Sequence, residues 1–355
     1  MAIGIKAVAY AVPEQVRRND YWHQHYPELV ASAEDKSLAR VWARRDTLAR
    51  NLFDEEMEPY LGDPFRGAVE RRILANGESS LGLEGLAARR VLAAARWAPG
   101  EVDLLLLTSF IPDQPGPGNA AYLVRDLGLR CPGINIESAC SSTLVSLNTA
   151  VGLIQAGQYR NALVVSSCSY SRFAPPWDTL SWFMGDGAGA LLVGEVPEGQ
   201  GWVAAQAIHT AATCGTFSLD IVVEDGKAVH RMSATRETAR VINELGEPCM
   251  REACTGALEK AGIRAEDLAC MVTNTPTAWY ASFAAKVLGI PRDRIASTYE
   301  RFANTGPVLI PMNLHESVRQ GKLRAGDWVL LYAIGSVSTA VATVMRWSDA
   351  SLGAL

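Results

Sequence analysis

Cys140 is the residue of this chain with the clearest potential for covalent chemistry. It lies between a strand-like stretch at 133–137 and an apolar run with helical spacing at 141–156. A thiol at the start of a helix lies near unpaired backbone N–H groups and the positive end of the helix dipole, and both favour the thiolate. The position suits a nucleophile, and a buried structural cysteine is the alternative. We assign that structural role to the six other cysteines: Cys131, Cys168, Cys214, Cys249, Cys254 and Cys270.

Three further segments contain residues that could act together with Cys140. Residues 184–192 are rich in glycine, which lets backbone approach backbone or a ligand closely. Residues 300–306 contain Asn304, and residues 332–338 form a turn of small residues that contains Ser336. The glycine-rich segment alone is a weak signal, because it also fits a structural turn before a strand.

The surrounding elements alternate between strand-like and helix-like patterns, which indicates an α/β protein. A segment rich in proline and glycine at 195–201 predicts a division into 1–195 and 202–347, and an internal duplication fits the rhythm of the two parts. Residues 20–66 are rich in charge and aromatic rings, and we expect a helical insertion that packs on the surface or over a pocket. The predicted strands are 3–11, 103–109, 133–137, 161–168, 188–194, 202–210, 268–273, 295–299, 327–334 and 338–346. The predicted helices are 80–97, 118–127, 141–156, 234–262, 279–288 and 307–320.

Composition narrows the class of protein. The chain has 355 residues, of which 48% are hydrophobic and 20% charged, so a large core is available. The net charge of −5 argues against nucleic acid as the main partner. No apolar run approaches the roughly 18 residues that span a bilayer, so we expect no membrane segment. The start of the chain lacks the features of a signal peptide, and the seven cysteines lack the spacing of a zinc site or a disulfide framework. We therefore expect no metal and a cytoplasmic location.

In order and separation, the four segments resemble the β-ketoacyl-acyl-carrier-protein synthase III family of the thiolase superfamily, over about residues 68–347. The stretches 69–72 and 321–328 support the resemblance. It implies a thiolase-like fold, with two duplicated halves in a five-layer αβαβα arrangement, and a homodimer. It also implies that Cys140 accepts an acyl group from the pantetheine arm of coenzyme A or an acyl carrier protein. The thioester is then a substrate, and no cofactor is bound permanently.

The resemblance assigns roles to individual residues. Asn304 matches an asparagine whose amide donates a hydrogen bond to a thioester carbonyl as negative charge develops. The backbone N–H groups of Cys140 and Ser336 match the family's oxyanion hole, in which glycine usually stands at the second position. The family's catalytic histidine falls on Asn274, which can donate a hydrogen bond but cannot exchange a proton near neutral pH.

Other residues are possible contributors. His209, at the end of a predicted strand, could face the pocket as a base, and a structural or surface role is the alternative. We place His315, beside Glu316, on a solvated helix face. The remaining histidines have no motif that supports catalysis: His23, His25 and His230.

The resemblance also implies a tunnel that admits the pantetheine arm, with Cys140 at its foot. Three tryptophans lie near this predicted tunnel, where they either pack the core or shape the pocket: Trp177, Trp182 and Trp279. The proline- and glycine-rich turn at 113–118 could set the length of the acyl chain. Five arginines either form a basic docking patch for an acidic carrier protein or lie on a solvated helix face: Arg40, Arg44, Arg45, Arg71 and Arg72.

Three functions remain open at this point. The first is an acyltransferase of secondary metabolism, for example of polyketide or antibiotic biosynthesis, which Asn274 and the inserted segment favour. It would pass the acyl group to a small-molecule or carrier-bound acceptor. The second is a decarboxylative or Claisen-type condensing enzyme, which Cys140 and Asn304 favour. The third is a non-catalytic partner subunit of an active homologue.

Overall fold

The computed structural model describes residues 1–36, 42, 50–234 and 236–355. The described residues form fourteen strands: β1 (Ala2–Ala11), β2 (Val16–Arg18), β3 (Glu70–Arg72), β4 (Leu104–Phe110), β5 (Gly133–Asn135), β6 (Ala162–Cys168), β7 (Gly187–Val196), β8 (Gly201–His209), β9 (Phe217–Glu224), β10 (Lys227–Ala234), β11 (Cys270–Thr273), β12 (Trp328–Ile334), β13 (Thr339–Arg346) and β14 (Ser351–Leu352). They also form ten α-helices: α1 (Asp20–His25), α2 (Pro27–Lys36), α3 (Leu52–Met57), α4 (Ser80–Ala95), α5 (Asn119–Leu127), α6 (Ser142–Gln155), α7 (Arg236–Ala261), α8 (Tyr280–Leu288), α9 (Tyr299–Phe302) and α10 (Leu309–Arg319).

Two sheets and three helical layers make up most of the fold. The first sheet has the strand order β14-β1-β7-β6-β4-β5, and the second has the order β11-β12-β13-β8. Helices α4 and α5 cover the outer face of the first sheet, α6 and α10 lie between the sheets, and α7 and α8 cover the outer face of the second. The predicted five-layer αβαβα arrangement is confirmed.

The central strands are buried on both faces, which explains their continuous apolar sequences. In β4, Leu105 and Leu107 pack in the outer hydrophobic cluster with α4 and α5, whereas Leu104 and Leu106 pack in the central cluster with α6. All four leucines have no accessible surface. Full burial of one such side chain contributes about 1.5–3 kcal/mol, so this layer holds the carboxyl end of β4 firmly in place.

The inserted segment is mostly helical where the structure describes it, and its second part packs on the outer layer of the second half. Helix α3 contacts α7 and α8. The rings of Trp42 and Phe53 lie 5.5 and 5.9 Å from the ring of Trp279, in edge-to-face geometry. Aromatic pairs of this kind contribute about 0.5–1.5 kcal/mol beyond their burial, so the insertion is fixed to the segment just before α8.

One predicted strand, 295–299, is wrong. Ile295 makes a single bridge to Met271, and helix α9 already begins at Tyr299. The reason is a side chain of α10, because Asn313 Oδ1 accepts the Thr298 N–H at 3.0 Å, where a strand would need a backbone partner. The other predicted strands and helices agree with the structure to within about three residues at each end.

The strand pair β2–β3 and the hairpin of β9 and β10 were not predicted from the sequence. The hairpin turn contains Asp225 and Gly226, both with positive φ, at 50° and 75°. An Asp-Gly pair is a strong hairpin signal. The hairpin was missed because β9 lacks a buried face, with Ile221 and Val223 69% and 76% exposed.

Candidate active site

A tight turn presents Cys140 at the entrance to α6. Cys140 lies in the 3-10 turn Ala139–Ser141, and Ala139 has the positive φ of 46°. Two serine hydroxyls close the turn. Ser142 Oγ accepts the Ser138 N–H at 2.7 Å and donates to Ala139 O at 2.7 Å, and Ser141 Oγ donates to Ser138 O at 2.7 Å. The predicted helix begins at Ser142, so the thiol precedes its first turn by two residues.

The thiol of Cys140 is in contact with Tyr170. Cys140 keeps part of its surface accessible, but burial of the sulfur raises the pKa of the thiol to about 11. A side-chain hydrogen bond with Tyr170 lowers the pKa, and the Glu137 carboxylate raises it. Burial therefore opposes the thiolate that the sequence analysis expected the helix start to favour. Tyr170 was absent from the sequence analysis, although its place directly after β6, at the edge where parallel strands end, was a usable signal.

The loop that carries Ser336 packs directly on the Cys140 turn. A Cβ atom on Gly335 would lie 2.5 Å from Ser138 O and 2.9 Å from Ser141 Oγ, so only glycine permits this approach. Ser336 itself is half-buried. Within the described residues, no backbone carbonyl accepts the N–H of Cys140 or of Ser336. Two free N–H groups on adjoining turns have the chemistry of an oxyanion hole.

Asn304 lies on a turn that is attached to both the glycine-rich segment and α6. Its N–H donates to Phe183 O at 2.9 Å, its carbonyl accepts the Gly185 N–H at 3.0 Å, and its Oδ1 accepts the Gly306 N–H at 2.8 Å. Thr143 Oγ1 in α6 donates to Pro307 O at 2.8 Å. Among the described residues nothing accepts from Asn304 Nδ2, which remains a hydrogen-bond donor for a ligand.

Asn274 contacts the Ser336 loop. The residue is 2% exposed, its Oδ1 accepts the Ile334 N–H at 3.4 Å, and its Nδ2 lies 3.5 Å from Ile334 O. These distances are at the long end of the hydrogen-bonding range. Both polar atoms of the side chain thus face the backbone at the end of β12, two residues before Ser336.

The glycine-rich segment holds two neighbouring turns in place. Asp186 Oδ1 accepts the Ser171 N–H at 2.9 Å, and Asp186 Oδ2 accepts the Leu74 N–H at 2.7 Å. Burial raises the pKa of the Asp186 carboxyl to about 6. At Gly189, a Cβ atom would lie 2.2 Å from Pro311 Cγ, so β7 and α10 meet through a residue without a side chain.

The histidines lie elsewhere. His209 is exposed at the end of β8. His315 is 2% exposed with Nε2 3.0 Å from Gly353 O, so its predicted place on a solvated face is wrong; burial lowers its pKa. Within the described part of the chain, no histidine is hydrogen-bonded to any of the four predicted site residues.

The tryptophans divide into core and surface. Trp182 and Trp279 have no accessible surface, and Trp177 is 58% exposed. Trp177 lines a cavity of about 490 Å³ between α2, the loop 175–179 and the hairpin. Its other lining residues are Leu29, Pro175, Asp178, Thr179, Val222, Glu224 and Arg231.

The predicted basic patch includes one buried residue. Arg71 has no accessible surface, and its guanidinium donates to Trp182 O and Asn19 Oδ1, so it cannot dock a carrier protein. Arg40, Arg44 and Arg45 lie outside the described residues. Among the cysteines, Cys214 is exposed, in contrast to the buried role predicted for it.

No helix within the described ranges is both long and apolar enough to cross a membrane. The same residues contain no group of three or more histidine, cysteine or acidic side chains that could hold a metal ion.

Comparison with known proteins gives consistent matches along the chain. Residues 134–212 match the family described as 3-Oxoacyl-[acyl-carrier-protein (ACP)] synthase III, and residues 258–347 match the C-terminal domain of the same name. The β-ketoacyl-[acyl-carrier-protein] synthase III of Chelativorans sp. (strain BNC1) is 30% identical over 286 residues, which cover 79% of this chain and 88% of that protein.

Solved structures agree with the sequence matches. The β-ketoacyl-[acyl carrier protein] synthase III of Thermus thermophilus superposes with a TM-score of 0.79 at 27% identity, covering 98% of this chain and 100% of the other. A histidine-to-asparagine variant of Xanthomonas campestris OleA has the same TM-score at 18% identity, covering 98% and 99%, and at that identity it shows the fold alone.

Proposed function

Because the chain belongs to the β-ketoacyl-[acyl-carrier-protein] synthase III family, we propose that it is an acyltransferase that forms an acyl thioester on Cys140. The observation that carries the proposal is the meeting of three turns at the start of α6: the Cys140 turn, the Ser336 loop and the Asn304 turn. The donor is an acyl thioester of coenzyme A or of an acyl carrier protein, and it is a substrate rather than a resident cofactor. A homodimer is part of the proposal.

Loading begins with attack of the Cys140 sulfur on the donor carbonyl. The new C–S bond forms, negative charge develops on the carbonyl oxygen, and the donor thiolate leaves as the old C–S bond breaks. The unpaired N–H groups of Cys140 and Ser336 stabilise that oxygen, and one such donor accounts for about 10²–10³ in rate. Asn304 Nδ2 supplies a further hydrogen bond to the thioester carbonyl.

Transfer to an acceptor is favoured over condensation by the position of Asn274. Decarboxylation of a malonyl thioester needs donors that stabilise the enolate. Asn274 directs its amide at Ile334, which leaves Asn304 Nδ2 as the unpaired amide donor of the two asparagines. Transfer to a thiol, amine or alcohol requires only the oxyanion hole and a path for the acceptor's proton to solvent. Asn274 and the insertion also support the assignment to secondary metabolism, where the acceptor is a small molecule or carrier-bound.

Intact-protein mass spectrometry tests the acyl-enzyme. The protein is incubated with acetyl-, butyryl-, octanoyl- and malonyl-coenzyme A, and with the same groups on an acyl carrier protein. We expect the mass gain of one acyl group with at least one donor. The gain should vanish in Cys140→Ala and persist in Cys214→Ala, the control for an exposed thiol. No gain in the wild type with any donor would reject the acyltransferase and favour the partner-subunit alternative.

A condensing enzyme is the second candidate, and the unpaired amide of Asn304 is the observation that favours it. Release of carbon dioxide from a malonyl thioester by the acylated protein distinguishes the two. We expect the acylated wild type to release carbon dioxide no faster than the Asn304→Ala variant does. Release that requires both Cys140 and Asn304, together with a β-ketoacyl product, would establish condensation instead.

A further inference from the structure

Tyr170 is buried at the end of β6, directly beside the nucleophile. The residue is 4% exposed and starts the 3-10 turn Tyr170–Arg172. Its ring packs edge-on against Phe110 at 5.5 Å. The Tyr170 hydroxyl lies against Gly306, whose 3-10 turn Gly306–Val308 packs on the Cys140 turn. From this position the hydroxyl lowers the pKa of the Cys140 thiol, as a hydrogen-bond donor does.

The turn that carries Tyr170 is held on both sides. The Ser171 N–H donates to the buried Asp186 Oδ1 at 2.9 Å. On the other side, Tyr170 O accepts the N–H of Phe173 at 3.0 Å and of Ala174 at 2.9 Å. The backbone of Tyr170 is therefore fixed before any substrate arrives, as a catalytic group requires.

A third contact places the hydroxyl between the nucleophile and the Asn304 turn. A Cβ atom on Gly306 would lie 2.6 Å from the Tyr170 hydroxyl oxygen, so the hydroxyl occupies the space of a missing side chain. The N–H of Gly306 donates a hydrogen bond to Asn304 Oδ1. The tyrosine hydroxyl thus touches both turns that the proposed function employs.

We propose that Tyr170 is a catalytic residue that donates a hydrogen bond to the Cys140 sulfur whenever that sulfur carries negative charge, as nucleophile and as leaving group. This inference rests on the proposed acyl transfer through Cys140. It assigns to a phenol just after β6 the stabilisation of charge that no histidine of the described site provides.

The protonation state of the phenol fits a donor. Burial and the neighbouring Cys140 and Cys168 raise the pKa of Tyr170 well above its ordinary value of about 10, so the hydroxyl keeps its proton. During loading, the Cys140 proton goes to solvent, the thiolate attacks with Tyr170 donating to it, and the departing donor thiolate takes a proton from solvent. During release, the acceptor attacks the acyl carbon and loses its proton to solvent, the bond to Cys140 breaks, and Tyr170 again donates to the thiolate that forms.

The test is the rate at which iodoacetamide alkylates Cys140, measured by peptide mapping between pH 7 and 10. In Tyr170→Phe, which keeps the ring, we expect the rate at pH 8 to fall about tenfold or more, with the pH profile displaced upward. The exposed Cys214 is the internal reference and should react at an unchanged rate. Tyr280→Phe is the matched control, since Tyr280 is buried and its hydroxyl has no hydrogen-bond partner among the described residues.

Alkylation requires no acyl donor. The proposed role of Tyr170 and the proposed acyl transfer through Cys140 can therefore be rejected independently. An unchanged or faster Cys140 rate in Tyr170→Phe would overturn the role of Tyr170, even if acyl transfer is demonstrated. Slower alkylation in a protein that no donor acylates would support the hydrogen bond and reject the acyltransferase. Slower alkylation together with slower acyl loading supports both.

Discussion

At the scale of single residues, the site depends on backbone conformations that most side chains avoid. Ala139 and Ala303, which directly precede Cys140 and Asn304, have φ of 46° and 55°. A residue with a Cβ atom in this region costs about 1–2 kcal/mol. Each alanine lies immediately before a proposed catalytic residue. Backbone strain is therefore concentrated where the side chains of Cys140 and Asn304 must be directed at the same substrate carbonyl.

Gly306 gives a prediction at the same scale. Gly306→Ala should displace the Tyr170 hydroxyl and slow Cys140 alkylation at pH 8 about tenfold. Gly321→Ala is the matched control, because its φ of 70° imposes similar strain but a Cβ atom there would meet nothing within 4 Å. Both variants should lose about 1 kcal/mol of stability, and only the first should lose reactivity. Equal alkylation rates in the two variants would show that the hydroxyl does not need this space.

The sequence predicts candidate site residues but not the residues that contact them. Cys140, Asn304 and Ser336 lie in motifs that are readable along the chain. The pKa of Cys140 depends on burial and on Tyr170, which β6 brings from thirty residues away. Asn274 was predicted to occupy the position of the family's catalytic histidine. The sequence did not reveal that its amide lies against Ile334, a contact made because β11 and β12 are paired neighbours. Contacts between distant segments cannot be derived from local spacing.

At the scale of elements, the glycine-rich segment allows close packing between strand β7 and helix α10. Gly189 lets β7 approach α10 closely, so we expect Gly189→Ala to clash with Pro311 and to destabilise by about 1–3 kcal/mol. Gly152→Ala in α6 is the control, since a Cβ atom there meets nothing within 4 Å and alanine favours a helix by about 0.5–1 kcal/mol. Thermal unfolding should show a lower Tm for the first variant and an equal or higher Tm for the second. A Gly189→Ala protein as stable as the wild type would contradict the account of this contact.

The alternating order of strands and helices was predictable, because the buried strands are short apolar runs and the apolar residues of the helices recur with helical spacing. The hairpin was missed, although Asp225 and Gly226 form a recognisable turn, because neither of its strands has a consistently buried face. The false strand at 295–299 has apolar and β-branched residues of the right kind, but Asn313 from α10 takes the N–H that a ladder would need. A side chain of another element thus decided the second case, and exposure of both strands decided the first.

At the scale of the whole molecule, acid stability depends on Asp186. Its pKa of about 6 exceeds the value of about 3.9 for an unfolded chain, so between these pH values the native state holds one extra proton. The contribution of Asp186 to stability should therefore fall as pH rises through this window, by at most about 1.4 kcal/mol per unit. The difference in Tm between the wild type and Asp186→Asn should favour the wild type more at pH 4.5 than at pH 7. A difference independent of pH would contradict the assignment.

The expected homodimer gives a prediction about the edge of the first sheet. Among the described strands, β5 is an edge strand that pairs on one side alone, and Ile134 on it is 43% exposed. An unpaired apolar edge is a site for strand pairing with a second chain. We expect Ile134→Lys to shift a dimer toward monomer in analytical ultracentrifugation, while Val203→Lys on the other sheet's edge strand β8 leaves it unchanged. A wild type that is monomeric at all concentrations would reject this expectation.

The division of the chain into 1–195 and 202–347, with a boundary at 195–201, also stays a prediction.

Loading and release of one acyl group on Cys140 test the central claim most directly. Wild-type protein is acylated with the best donor, freed of that donor and mixed with pantetheine as a generic acceptor thiol, with intact mass followed over time. We predict that the acyl mass maps to the peptide containing Cys140, disappears as acyl-pantetheine forms, and never appears in Cys140→Ala. An acyl mass that survives in Cys140→Ala, or that acylated wild-type protein does not release to the acceptor, would contradict the account.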